Sequence, residues 1–135
     1  MKKKGGRELD LSSLRILLVE DSLTMRLLIK QHLLGLGATH ITEAPEGGAA
    51  LEMLETVSVN IIITDLKMAP VNGIEFVRRL RALEDNPNSK VPTILITGHL
   101  TSQNVTRARE AGFNGFLSKP VSAGRILGCI EKALA

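Results

Sequence analysis

The sequence predicts a single α/β domain in which a parallel β-sheet is covered by helices on both faces. Five short apolar runs alternate along the 135 residues with five longer stretches whose apolar residues recur at helical spacing. Each strand-like run leads through a short connection to a helix, which gives a (βα) unit repeated five times and indicates parallel strands. At 44% hydrophobic residues, the chain can bury a core without disulfide bonds.

The five predicted strands are short and mostly apolar. The run at 61–64, Ile-Ile-Ile-Thr, is the most apolar, as is typical of a strand buried on both faces. The run at 40–44 is the weakest. In chain order the predicted strands are β1 (15–19), β2 (40–44), β3 (61–64), β4 (91–96) and β5 (115–118).

Five helices are predicted after these strands. Helix α1 begins after its N-cap Ser22, and its apolar residues recur at helical spacing until Gly37 ends it. Helix α2 is predicted over 45–57 and α3 over 73–83, and the polar residues 85–89 form a loop.

The last two helices differ in how well they can pack. Helix α4, residues 102–111, has few apolar residues and ends at Gly112, so we expect it to be loosely packed and able to move. Helix α5 begins at its cap, Ser122. Its apolar face consists of Ile126, Leu127, Ile130 and Leu134.

Polar residues mark the ends of four of the predicted strands. Glu20 and Asp21 follow β1, Asp65 follows β3, Thr97 follows β4 and Lys119 follows β5. Because the carboxyl ends of parallel strands meet at one edge of a sheet, we expect these side chains to share one pocket. Crowded carboxylates repel each other, and a divalent cation can hold them ionised together. Oxygen ligands favour a hard ion such as Mg²⁺.

Composition excludes several classes of protein. Of the net charge of +3, residues 1–13 carry +2 and the rest of the chain carries only +1. With three Phe and neither Tyr nor Trp, the chain offers few surfaces for stacking bases, so no direct nucleic-acid binding is predicted. A single cysteine, Cys129, excludes an internal disulfide, and we expect it to be a small buried residue of α5.

The chain is predicted to consist of a flexible basic N-terminal tail, residues 1–13, and one domain, residues 14–135. No apolar run reaches the roughly 20 residues that a membrane span needs. The start of the chain also lacks the apolar core of a signal peptide. We therefore predict a soluble protein of the cytoplasm that does not contact membranes.

Six short motifs follow one another along the chain. They are Glu20-Asp21, Ala44-x-x-Gly47-x-x-Ala50-Leu51, Asp65 with Met68 and Gly73, Thr97-Gly98, Ala111-Gly112 and Lys119-Pro120. Together these motifs resemble the receiver domains of two-component response regulators, and the resemblance extends over residues 14–135. It implies a flavodoxin-like, doubly wound (βα)5 fold with strands in the order 2-1-3-4-5. It implies a phosphorelay signalling domain that catalyses only its own phosphorylation and dephosphorylation, either stand-alone or part of a larger regulator.

The resemblance assigns acceptor and metal roles. Asp65 is expected to take a phosphoryl group from the phosphohistidine of a sensor histidine kinase or a histidine phosphotransfer protein. Four groups are expected to hold Mg²⁺ or Mn²⁺. These are the carboxylates of Glu20, Asp21 and Asp65 and the backbone carbonyl of Lys67.

The resemblance also implies a conformational switch. Lys119 is expected to pair with a phosphoryl oxygen, and Thr97 to move its hydroxyl toward the phosphoryl group. Phe116 then turns inward, which changes the α4-β5-α5 face and allows a phosphorylation-dependent dimer. The peptide bond before Pro120 is expected to be cis.

The chain departs from the family pattern after the acceptor. In Met68-Ala69-Pro70 the proline stands one residue later than usual, so we expect the loop to take an altered path. His32 and His40 receive no role, because nothing nearby forms a ligand set.

Three other functions fit the sequence less well. A degenerate receiver would bind partners without phosphorylation, but here Asp65, the acidic pair and Lys119 are all intact. A flavin-binding electron carrier would need a hydroxyl- and glycine-rich phosphate loop where Glu20-Asp21 stands. A haloacid-dehalogenase-type phosphatase would need a second catalytic acid two residues after Asp65, where Lys67 stands.

Two positions are predicted to set the lifetime of the phosphoryl group. Lys67 stands two residues after Asp65, and His99 stands two residues after Thr97. By the resemblance, Lys67 pairs with the phosphate and His99 orients or excludes water. We therefore expect Lys67→Ala and His99→Ala to change the dephosphorylation rate while leaving Mg²⁺ affinity similar. Equal dephosphorylation rates in the wild type and both variants would contradict this role.

Overall fold

Five parallel strands form one sheet in the order β2-β1-β3-β4-β5, which confirms the predicted flavodoxin-like fold. The computed structural model describes residues 9–135. The strands are Arg15–Val19 (β1), His40–Ala44 (β2), Ile61–Thr64 (β3), Thr93–Thr97 (β4) and Gly115–Ser118 (β5). The helices are Leu23–Gly35 (α1), Gly47–Met53 (α2), Gly73–Arg81 (α3), Ser102–Ala111 (α4) and Ala123–Leu134 (α5).

Two apolar layers lie on opposite faces of the sheet. Along β1, Ile16 and Leu18 pack into one layer, whereas Leu17 and Val19 pack into the other, because successive side chains of a strand alternate in direction. The first layer contains Ile29, Leu33, Ile126 and Ile130 of α1 and α5, and the second contains Ala50, Phe76, Val77, Leu80 and Ala108 of α2, α3 and α4. Burial on both faces explains the continuous apolar run of β3.

Helix α2 is shorter than predicted, Gly47–Met53 instead of 45–57. The carboxylate of Glu46 accepts hydrogen bonds from the backbone N–H groups of Gly48 and Ala49 at 2.6 and 3.1 Å. These bonds satisfy N–H groups of the first turn, so the helix begins after Glu46 and not at the proline before it. The N-cap predicted for α1 is confirmed, since Ser22 Oγ accepts from the N–H of Met25 at 3.2 Å.

The polar loop at 85–89 contains one deeply buried residue, Asn88, which is 1% exposed. Its Oδ1 accepts from the N–H of Val59 at 3.0 Å, and its Nδ2 donates to the carbonyls of Leu54 and Val57 at 3.0 and 2.8 Å. The loop is therefore held to the segment between α2 and β3.

The packed part of the chain begins before residue 14. Leu11 is 2% exposed and belongs to the layer of α1 and α5, and Asp10 caps a short 3-10 helix, Leu11–Ser13. A leucine of this polar segment thus reaches the core, and the predicted boundary between tail and domain at residue 14 stays a prediction. Residues 1–8 lie outside the described residues, and their predicted flexibility stays a prediction.

Helix α4 contributes few side chains to the core, as its sequence predicts. Ala108 and Ala111 are buried, and Val105 is half-buried. Small side chains bury little apolar area, so this helix is held less strongly than its neighbours, and its ability to move stays a prediction.

None of the helices within residues 9–135 could cross a membrane. The longest of them, α1, has 13 residues, whereas a span needs about 20 apolar residues. The predicted location in the cytoplasm stays a prediction.

Gly73 allows the first turn of α3 to lie against the residue that follows β3. Its N–H donates to the carbonyl of Leu66 at 2.9 Å. A Cβ atom at this position would lie 2.2 Å from the backbone oxygen of Asp65, which is far inside van der Waals contact. A glycine is therefore required where α3 starts.

We expect Gly73→Ala to lower the free energy of unfolding by about 2 kcal/mol or more, because backbone has to move away from the new methyl group. Gly128→Ala in α5 is the matched control. A Cβ atom at Gly128 would meet nothing within 4 Å beyond its own helix, so this change should raise the free energy of unfolding by up to about 1 kcal/mol. Urea denaturation measures both changes, and equal stability of the two variants would contradict this account.

Candidate functional site

Backbone hydrogen bonds position three polar residues at the carboxyl edge of the sheet. The N–H of Glu20 donates to the last carbonyl of β2, that of Asp65 to the last carbonyl of β1, and that of Lys119 to the last carbonyl of β4, each at 3.0 Å. Each residue thus extends the hydrogen-bond pattern of the sheet by one residue past the end of its own strand. The hydrogen bonds of the sheet therefore fix the backbone from which these side chains extend.

Three carboxylates meet at this edge. Oxygen atoms of Glu20, Asp21 and Asp65 lie within 4.8 Å of one another. Glu20 is 1% exposed and Asp65 is 8% exposed, whereas Asp21 is open to solvent. Backbone N–H groups hold the two buried carboxylates, since Ser22 donates to Glu20 Oε2 at 3.2 Å and Leu66 donates to Asp65 Oδ1 at 2.6 Å.

The ammonium group of Lys119 bridges the two buried carboxylates. Its Nζ lies 3.1 Å from Asp65 Oδ2 and 3.3 Å from Glu20 Oε1. Burial by itself lowers the pKa of Lys119, but hydrogen bonds and charges from Asp65 and Glu20 outweigh burial, so the pKa is raised. Lys119 is therefore charged at neutral pH. The Lys119–Pro120 peptide bond is cis, as the resemblance implies.

Glu20 is the acid of the cluster whose pKa is raised. Burial, together with the charge of Asp65, raises its pKa to about 7, although Ser22 and Lys119 act in the opposite direction. A carboxylate in this position holds a proton near neutral pH unless more positive charge comes close.

Sequence reasoning missed Arg26, which supports the acidic edge from α1. Its Nη1 donates to the backbone carbonyl of Glu20 at 2.7 Å, and its Nε pairs with Glu43 Oε1 at 3.0 Å. Lys30 Nζ binds the other carboxylate oxygen of Glu43 at 2.9 Å. The sequence signal for this role is weak, since it consists only of a basic residue in the first turn after the acidic pair.

The predicted switch residues lie on neighbouring strands. Thr97 is fully buried as the last residue of β4, and its Oγ1 accepts from the N–H of His99 at 3.1 Å. Phe116 is half-buried against the layer of α2, α3 and α4. The guanidinium carbon of Arg109 lies 5.3 Å from the centre of the Phe116 ring, a cation–π contact that the sequence did not suggest.

The acceptor loop contains a second cis peptide bond, between Ala69 and Pro70, which the sequence did not predict. Met68 and Val71 are buried on either side of it, whereas Lys67 is exposed. His99, the second residue predicted to affect phosphoryl lifetime, is exposed as well. The side chains of Lys67 and His99 are therefore accessible to solvent and lie outside the buried part of the site.

The other histidines and the cysteine lie away from this site. The ring of His40 is exposed, and its Nδ1 is 2.7 Å from the hydroxyl of Thr39. His32 is half-buried in α1. Cys129 is half-buried instead of fully buried, and burial raises the pKa of its thiol. Within residues 9–135, no metal-binding group of side chains includes any of them.

The donor atoms of the acidic edge fit a hard divalent cation. Three carboxylates face one ammonium group, which leaves surplus negative charge in a partly buried place. Mg²⁺ prefers carboxylate and carbonyl oxygens, and all the metal-binding atoms of this cluster are carboxylate oxygens.

The chain matches the family model described as "Response regulator receiver domain" over residues 16–131. The chain belongs to this family of receiver domains. Receiver domains are signalling domains of two-component systems, and the family binds Mg²⁺ at an acidic pocket and receives its phosphoryl group from histidine kinases.

Characterised relatives and solved structures agree with this assignment. The chain is 35% identical to the chemotaxis protein CheY of Pseudomonas aeruginosa, over 88% of this chain and 94% of that protein. It is 37% identical to the chemotaxis protein CheY1 of Helicobacter pylori, over 79% and 86% of the two chains. The receiver domain of a histidine kinase from Syntrophus aciditrophicus superposes with a TM-score of 0.79 at 27% identity, covering 90% of each chain.

The raised pKa of Glu20 predicts how the stability of this receiver domain depends on pH. The folded protein holds the proton of Glu20 up to about pH 7, whereas the unfolded chain releases it near 4.5. The stabilisation by this proton is therefore complete below pH 4.5 and is lost as the pH rises through 7. Without divalent cations, we expect the free energy of unfolding to fall over this interval by at most about 3 kcal/mol.

The contribution of Glu20 to this decrease in the free energy of unfolding can be measured by urea denaturation. The wild type and Glu20→Gln are compared between pH 4.5 and 8. The amide cannot ionise, so the variant should lack the decrease. Parallel pH profiles for the two proteins would contradict the assignment to Glu20.

Proposed function

We propose that Asp65 accepts a phosphoryl group from a phosphohistidine and carries it as an acyl phosphate. The observation that carries the proposal is the contact of Asp65 Oδ2 with Lys119 Nζ at 3.1 Å, beside two further carboxylates. Asp65 makes the shorter contact with Lys119, at 3.1 Å against 3.3 Å for Glu20. Glu20 is more deeply buried and has a raised pKa, and Asp21 lies in solvent.

The transfer is a displacement at phosphorus. A carboxylate oxygen of Asp65 forms a bond to phosphorus while the bond from phosphorus to the histidine nitrogen breaks. The histidine ring takes up one proton and leaves as neutral imidazole. Lys119 offers its ammonium to the phosphoryl oxygens, and this charge has to move away from Glu20 or be shared with it.

The acidic edge supplies the ligands for Mg²⁺ or Mn²⁺. When bound, the ion neutralises charge on the carboxylates and on the phosphoryl oxygens. Glu20 has to release its proton to act as a ligand, which requires positive charge nearby because its pKa is about 7. The proposed ligands are the carboxylates of Glu20, Asp21 and Asp65 and the backbone carbonyl of Lys67.

The proposed switch joins Thr97 and Phe116. The hydroxyl of Thr97 accepts a hydrogen bond from the N–H of His99, so its own proton can be donated to another group. A phosphoryl group on Asp65 would attract this hydroxyl as a donor, and space beside β4 would open for the ring of Phe116. The ring has to leave the guanidinium of Arg109, so its rotation changes contacts between α4 and β5.

The changed α4-β5-α5 face is the proposed output. It would bind a downstream protein or a second phosphorylated copy, and the loosely packed α4 makes such a change less costly. The proposed donor is a sensor histidine kinase or a histidine phosphotransfer protein. By this proposal the domain is not a general enzyme, since Asp65 is consumed until its acyl phosphate is hydrolysed.

Intact-mass measurement after treatment with acetyl phosphate tests the proposal. We expect the wild type to gain about 80 Da, the mass of one phosphoryl group, only when Mg²⁺ is present. Asp65→Asn should gain nothing, because its amide is not a nucleophile. Lys119→Gln should be phosphorylated more slowly.

The same measurements distinguish a receiver that is phosphorylated on Asp65 from one that acts without phosphorylation. An unmodified wild type in the presence of Mg²⁺ would favour that degenerate role. A gain that is independent of Mg²⁺, or that persists in Asp65→Asn, would contradict the assigned acceptor.

A further inference from the structure

A groove of about 530 Å³ opens beside the acidic edge, between the loop after β3 and helix α4. Its lining includes Asp21, Lys67 and Arg107. Small-molecule sites in proteins typically have volumes of about 300–1,000 Å³. The groove therefore has room for much more of a phosphate donor than the phosphoryl group that is transferred.

The lining of this groove carries charges of both signs. Its carboxylate, Asp21, belongs to the acidic cluster, whereas Lys67 and Arg107 bring two positive charges. Within residues 9–135, neither of these cations takes part in a salt bridge. These two cations suit a donor that carries an anionic group in addition to the transferred phosphoryl group.

Two amide side chains complete the polar lining. Asn72 Oδ1 accepts from the N–H of Glu75 at 2.8 Å, and its amide nitrogen has no partner within the described part of the chain. Asn104 is oriented by its Nδ2, which donates to the carbonyl of His99 at 2.7 Å. A guanidinium and an amide N–H are donors suited to the planar oxygens of a carboxylate.

We infer that the groove recognises a small acyl phosphate whose leaving group carries a second carboxylate, and that Arg107 binds this carboxylate. The inference rests on the proposed function of Asp65 as acceptor. A carboxylate oxygen of Asp65 bonds to phosphorus, the bond from phosphorus to the acyl oxygen breaks, and the leaving group departs as a dicarboxylate. No proton is gained or lost in this step.

The inference is tested by comparing succinyl phosphate with acetyl phosphate as donors. Initial phosphorylation rates of the Mg²⁺-loaded protein are measured by intact mass over a range of donor concentrations. Both donors transfer the same group, but only succinyl phosphate carries the second carboxylate. In the wild type, the half-saturating concentration should be about fivefold lower for succinyl phosphate, which is the effect of one charge-assisted contact at a partly exposed site.

Arg107→Gln should abolish this preference, and Arg107→Lys should keep part of it. Arg15→Gln is the matched control. It removes the same charge from an exposed position at the first residue of β1, at the opposite edge of the sheet, and should leave the preference unchanged.

Equal half-saturating concentrations for the two donors in the wild type would overturn the inference, as would an equal loss of preference in Arg15→Gln. The binding step can also be measured without transfer. An analogue of succinyl phosphate with a methylene in place of the bridging oxygen should bind the wild type more tightly than Arg107→Gln. If neither donor modifies Asp65, the proposed function fails, whereas equal binding of the analogue to both proteins overturns the groove assignment alone.

Discussion

The ammonium group of Lys119 lies between two buried carboxylates, 3.1 Å from Asp65 and 3.3 Å from Glu20, and the carboxyl edge of the sheet depends on this arrangement. Burial of Glu20, together with the charge of Asp65, outweighs this contact, so the pKa of Glu20 is raised to about 7. Burying charged groups costs free energy that one contact recovers only in part. Under the proposed function, a cation or phosphoryl group that enters would change the pairing of Lys119, at the end of β5.

The parallel sheet makes such crowding of charge possible. Glu20, Asp65 and Lys119 each bond through their N–H to the end of a neighbouring strand, so they cannot separate without loss of sheet hydrogen bonds. Apolar layers on both faces hold the strands, and the close approach of Gly73 to Asp65 holds the start of α3 against the same edge. The energy for assembling the charges comes from the apolar core, not from the charges themselves.

Helix α4 is the part of this edge that is held least strongly, and its two ends differ. At its C-terminal end, Nε and Nη2 of Arg81 donate to the carbonyl of Gly112 at 3.3 and 2.9 Å, which ties the turn after α4 to α3. Toward its N-terminus, Asn104 and Arg107 line the groove beside the acceptor. Arg109, on the same helix, covers Phe116. The helix thus connects the proposed donor groove to the proposed switch.

The sequence by itself determined the α/β class and the residues at the strand ends, because periodicity and strand-end position are local properties that a single strand or helix displays. Its resemblance to receiver domains added the strand order and the proposed roles of Asp65, Lys119 and Thr97. Other features depend on residues far apart in the chain. The burial of Asn88 in a polar loop, the contact of Arg109 with Phe116 and the placement of Leu11 in the core were decided by tertiary structure, since each requires partners that only the folded sheet brings together.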